Sequence, residues 1–146
     1  MLGPWTGVFV QLLKNGLHFL FTGSEAGIPI GEMANFIAGS IFVVCTVLIA
    51  RRLSGLKGII FGLVTGTVVM SGVLTILNYF VIFPAYAFLI NWTVAGPEKT
   101  AIVFYGIAPF NIIKGLLVAL VFVPLYLRLK PKIERQFQLN FNYIEA

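Results

Sequence analysis

The stretch from Gly106 to Lys132, GIAPFNIIKGLLVALVFVPLYLRLKPK, decides how the chain is read. Pro109 stands where a helix can begin, because the first turn has no use for the N–H that proline lacks. Asn111 and Lys114 then fall in that first turn. An apolar run from Gly115 to Leu127 follows and closes on Arg128, Lys130 and Lys132. A run of this length and polarity is a membrane-spanning helix with its cations at one water interface. Asn111 and Lys114, three residues apart, share a helix face. Lipid would not hydrate such a pair, so it faces a cavity or a partner, and this helix holds the first candidate site.

Composition agrees. Of 146 residues, 59% are hydrophobic and 10% charged, where a soluble domain carries about a quarter charged residues. The chain is therefore an integral membrane protein, with the lipid bilayer as its first partner. Its net charge of +5 does not point to nucleic acid, because the cations cluster beside apolar runs. Arg51, Arg52 and Lys57 separate two such runs, and Arg128, Lys130, Lys132 and Arg135 follow the last. The positive-inside rule puts both clusters, and the C-terminus, in the cytoplasm. A single cysteine, Cys45, leaves no disulfide within the chain. The first apolar stretch has no basic segment before it, so no cleavable signal is read there.

Four spans follow from the apolar runs, at about 5–22, 33–50, 58–81 and 109–128. The first carries Gln11, Lys14, Asn15 and His18 at i, i+3, i+4 and i+7, a polar stripe down one side. That stripe is either a wall of a binding cavity or glue between helices, and Lys14 either reaches an interface or pairs with a carboxylate outside the chain. The linker 24–32 is a non-cytoplasmic loop holding Glu25 and Glu32. Glu32 either complements the dipole of the helix it precedes or accepts hydrogen bonds from a ligand. Ala34, Ala38 and Gly39 on the second span, and Gly58, Gly62 and Gly66 on the third, give small-residue faces for close packing. Pro84 and Pro97 break residues 83–105, so Ala85–Val94 reads as a short interfacial or re-entrant helix and Gly96–Lys99 as a turn. Residues 1–132 then form a helical bundle, and 133–146 a cytoplasmic tail.

Glu32, Asn78, Asn111 and Lys114 all fall at the non-cytoplasmic ends of spans. Trp92, Phe83, Tyr86, Tyr79, Tyr105 and Phe110 lie near them in sequence. A few hydrogen-bonding groups within an aromatic, apolar enclosure suit a flat heteroaromatic ligand with a polar tail. No nucleophile–base pair, HExxH motif or P-loop is present, so neither an enzyme nor a resident cofactor is indicated. With no nucleotide-binding domain, active transport would need a motor from elsewhere.

Four segments carry a resemblance: PFNIIKG (Pro109–Gly115), LNYFVIFPAY (Leu77–Tyr86), LLKNGLHFLFTG (Leu12–Gly23) and GEMANFIAGS (Gly31–Ser40). With PFNIIKG in that context, the chain resembles the riboflavin-binding S components of energy-coupling factor (ECF) transporters, from near Gly3 to about Lys132. The resemblance implies an all-α bundle in a bacterial cell membrane that captures riboflavin from outside. It implies a partner energy module, made of a transmembrane coupling subunit and two ATPase subunits. It places substrate contacts on Asn111, Lys114, Asn78 and Glu32, with FMN as a second ligand whose phosphate would favour Lys114. Such S components have six helices, and this chain matches from the third onward. The expectation is then that this chain alone lacks the helix that docks on the coupling subunit and the loop that closes over the vitamin, and is unstable or inactive by itself. An S component for another vitamin, or a membrane assembly partner that binds no ligand, are the alternatives.

Overall fold

Gly58, Gly62 and Gly66 are all buried, and the face they share is where two long helices meet. The computed structural model describes residues 3–23, 27–53 and 55–144, with side chains as far as residue 131. Helix α1 runs Pro4–Thr22, α2 Ile30–Arg52 and α3 Gly55–Leu77. Without a Cβ at Gly62 and Gly66, the α3 backbone comes up against the Thr46 and Phe42 carbonyls of α2. Thr46 Oγ1 adds a hydrogen bond to the Gly62 carbonyl at 3.2 Å. Ala38, buried on α2, packs with Met70 and Leu74 of α3, whereas Gly39 lies against Gln11 of α1, so each small-residue face takes a close neighbour but the two faces do not meet each other.

The tight connection after α2 needs Gly55 at φ 82°, a conformation that other residues adopt at a cost. Glu32 lies in the first turn of α2 and Arg51 and Arg52 in its last, each complementing the helix dipole. Glu25 lies outside the described residues.

Beyond Leu77 the structure departs from the sequence reading. Residues Asn78–Ile82 form a π-helical turn, and α4 (Phe83–Ile90) continues from it, so Gly55–Ile90 is one helix of 36 residues. Ala85–Val94 is therefore not a separate re-entrant helix. The chain reverses instead at Asn91, a left-handed helix cap with φ 53°. The Gly96–Lys99 segment, expected as a turn, opens α5 (Gly96–Ala101), with Pro97 in its first turn. A second π-turn, Ile102–Ile107, leads without a break into α6, Ala108–Ile144. Pro109 thus sits inside a continuous helix and does not start one. Both Pro84 and Pro109 come directly after a π-turn. The wider i→i+5 turn relieves the clash between a proline ring and the preceding turn, which is why two helix breakers break nothing here.

Among the described residues three helices are long and apolar enough to cross a membrane: Ile30–Arg52, Gly55–Ile90 and Gly96–Pro131. Helix α1 forms where the first span was expected, but its stripe of Gln11, Lys14, Asn15 and His18 keeps it out of that set. The helices pack in the order α1, α2, α3, α6. Large apolar side chains such as Leu120 and Val121 stand exposed on the outer faces, as lipid-facing residues do.

Helices α3 and α6 are tied by Ser71 Oγ, which donates to the Ala108 carbonyl at 3.0 Å. Ser71→Ala is expected to lower stability by about 0.6–1 kcal/mol, the usual worth of such a bond between membrane helices. Thermal unfolding in detergent would show it, and an unchanged midpoint would count against the contact.

Candidate functional site

The four main helices line a half-open cavity of about 340 Å³. Its long walls are apolar, with Phe42 and Val43 from α2 and Val118 and Phe122 from α6. Gly115 lets α6 approach Thr67 of α3 at the cavity edge, where a Cβ would overlap the threonine side chain. The polar lining comes from Gln11 and Lys14 of α1, Asn35 of α2 and Lys114 of α6. A volume of this size falls at the low end of the roughly 300–1,000 Å³ typical of small-molecule sites, and the mix of apolar wall and few polar groups is also typical.

Lys114 is the predicted site residue that lines this cavity. Its ammonium donates to Asn35 Oδ1 at 3.0 Å, joining α6 to α2. Asn111, one turn earlier on α6, is buried, and its amide donates to the Ile107 carbonyl at 2.8 Å. Ile107 is the last residue of the π-turn, so the side chain ties back to the wide turn that precedes it. Asn78 does the same at the start of the first π-turn, donating to the Leu74 carbonyl at 2.8 Å. It makes no hydrogen bond with the other three. Glu32 is held from α1, with His18 Nδ1 3.4 Å from its Oε1. Its Oε2 is buried and has no hydrogen-bond partner among the described residues.

Two polar links thus cross the bundle, His18–Glu32 between α1 and α2 and Lys114–Asn35 between α6 and α2. They are joined through α2, since Glu32 and Asn35 are three residues apart on one helix face. The polar stripe of α1 divides its work. Gln11 and Lys14 line the cavity, Asn15 is buried and donates to the Gln11 carbonyl at 2.8 Å, and His18 meets Glu32. Lys14 therefore shares the cavity with Lys114.

Asn35 did not stand out in the sequence. Its spacing from Glu32 was the available signal, but an uncharged residue in an apolar run attracts little notice. The aromatic enclosure also differs from expectation. Tyr105 and Phe110 are 85% and 63% exposed, so they do not enclose anything in this chain. Trp92 instead stacks on Phe83, with ring centroids 5.6 Å apart, and meets Tyr86 edge-on. Lys99 lies 4.2 Å over the Tyr79 ring. These contacts hold the α4–α5 reversal together, and the rings that line the cavity are Phe42 and Phe122.

A multi-pass helical membrane protein with a solute-sized cavity between its helices, polar on one part of its wall, is the class that fold and site define. The chain belongs to the substrate-specific components of ECF transporters: the sequence profile of that family matches residues 1–126. Family members are transport subunits and not enzymes. The chain is 41% identical over 136 residues to the riboflavin transporter FmnP of Bacillus subtilis (strain 168), covering 92% of this chain and 71% of that protein. It is 41% identical over 133 residues to the riboflavin transporter RibU of Staphylococcus aureus (strain TCH60), covering 91% and 69%. A solved structure of the S component of a bacterial ECF transporter superposes with a TM-score of 0.73 at 39% identity, covering 90% of this chain and 70% of that one.

Proposed function

We propose that this protein is the riboflavin-capturing subunit of an ECF importer. The observation that carries the reading is 41% identity to two riboflavin transporters across more than nine-tenths of the chain. The cavity supports it chemically. A flavin has a flat ring to lie between apolar walls, a ring N–H and carbonyl oxygens, and hydroxyls on its side chain. Lys114 supplies a cationic donor from the cavity wall; Asn111, Asn78 and Glu32 do not line it and enter this reading as further groups at the site, the asparagines offering donor and acceptor and the carboxylate accepting from N–H or O–H. FMN is the second ligand of this proposal, with Lys114 and Lys14 the cations that its phosphate would meet.

Capture takes place on the non-cytoplasmic side of a bacterial cell membrane, with the basic residues after α2 and near the end of α6 on the cytoplasmic side. Uptake then depends on an energy module of a transmembrane coupling subunit and two ATPase subunits. The test is a fluorescence titration of riboflavin with the purified protein in detergent. Saturable quenching, competed by non-fluorescent flavin analogues, is expected, and it would set aside the inactivity that the six-helix family pattern implies for this chain alone. A folded protein that leaves flavin emission unchanged, with no binding by calorimetry, would overturn the reading.

A further inference from the structure

Of the two glutamates whose side chains are described, Glu98 is exposed, whereas the Glu32 side chain is only 14% exposed. A carboxylate removed from water is costly unless its oxygens find donors. Only one of them has a partner. Oε1 meets His18 Nδ1 across the α1–α2 interface, while Oε2 is buried with nothing bonded to it among the described residues. Neither Lys14 nor Lys114 reaches ion-pair distance of Glu32; both line the cavity that Asn35, one turn further along α2, also lines. Lys114 is engaged by Asn35 instead.

A buried acceptor without a donor is unfavourable, and a bound N–H or O–H would relieve that cost. Which oxygen is left free depends on which one the imidazole takes. A glutamate without that contact can rotate about its terminal torsion, whose wells are broad, and turn either oxygen in any direction.

We infer that His18 is a positioning residue for ligand capture: from α1 it holds the Oε1 edge of Glu32, so that Oε2 is presented to a ligand N–H or hydroxyl. The inference rests on the riboflavin reading above. His18 itself touches no ligand. Its imidazole is more than half exposed on its far side, and its effect passes entirely through the carboxylate.

The test is a riboflavin titration of wild type, H18A, H18Q, E32Q and the H18A/E32Q pair, with thermal unfolding of each variant as the control for fold. H18A is expected to bind up to about tenfold more weakly, because the carboxylate loses the 3.4 Å contact that decides which oxygen it presents. H18Q keeps an N–H donor and is expected to recover most of that loss. E32Q weakens binding, and adding H18A to it is expected to change nothing more. If H18A does not fold, H18M keeps the volume without the donor and replaces it in both backgrounds. Affinity unchanged in H18A, or lost equally in wild-type and E32Q backgrounds, would overturn the positioning role while leaving riboflavin capture intact. Wild-type protein that binds no riboflavin would remove both.

Discussion

Lys114→Met is expected to weaken riboflavin binding by roughly 10- to 100-fold, because a hydrogen bond from a charged donor contributes about 1.5–3 kcal/mol. Methionine keeps the length and apolar stem of the side chain, so the cavity wall between Gly115 and Val118 retains its shape. What it lacks is the ammonium that now donates to Asn35 Oδ1 at 3.0 Å. Asn35→Ala removes the other half of that contact while leaving the cation free to turn to the ligand, so its effect should be several-fold smaller. The order of the two effects is the informative part. If Lys114 served only to tie α6 to α2, the two substitutions would cost the same in unfolding temperature and leave affinity alone. Fluorescence titration with parallel thermal unfolding separates the cases, and a Lys114→Met protein that binds like wild type would remove Lys114 from the site.

A large effect on the α2–α3 seam is expected from Gly62→Ala. A Cβ there would stand 2.6 Å from the Thr46 carbonyl oxygen and 3.2 Å from the Thr46 Cα, both backbone atoms in the middle of α2. Backbone in a helix cannot step aside as the end of a long side chain can. The two helices must separate, loosening the Thr46–Gly62 hydrogen bond and the Ala38, Met70 and Leu74 cluster together. Overpacking of this kind costs roughly 2–3 kcal/mol, which outweighs the gain of up to about 1 kcal/mol that alanine brings over glycine within a helix. Gly72→Ala on the same helix is the control. Its Cβ would meet nothing within 4 Å, so only the propensity gain remains and stability should hold or rise. Equal unfolding temperatures for the two variants would show that the α2–α3 approach is looser than described.

Much of this was legible in the chain itself. The apolar runs locate α1, α2, α3 and α6, and the glycine and alanine spacing locates the α2–α3 seam, because both depend on periodicity within a single helix. The prolines were misleading. Pro84 and Pro109 carry the signature of helix boundaries, yet whether a proline ends a helix depends on whether the turn before it can widen, and that is settled by packing. Placing the start of the last helix at Pro109 also put Asn111 and Lys114 at its mouth. They lie instead 15 and 18 residues beyond Gly96, where the helix begins, about 22 and 27 Å along its axis. The partners of the site residues were not legible either. Nothing local to Lys114 names Asn35, 79 positions earlier, and nothing in the α1 stripe says which of its members meets Glu32.

The two wide turns have a consequence for how the chain can vary. An i→i+5 turn holds one residue more than an α-turn, and one residue corresponds to about 100° of rotation about the helix axis. Each π-turn is therefore a phase shift between the two halves of its helix. A chain shorter by one residue at Asn78–Ile82 could keep every helix, every span and nearly its whole composition. Everything from Phe83 onward would nevertheless swing by more than a quarter of a circle. The same loss at Ile102–Ile107 would turn α5 away from the face that carries Asn111 and Lys114. In this part of the molecule the count of residues sets the aim of the side chains as much as their identity does.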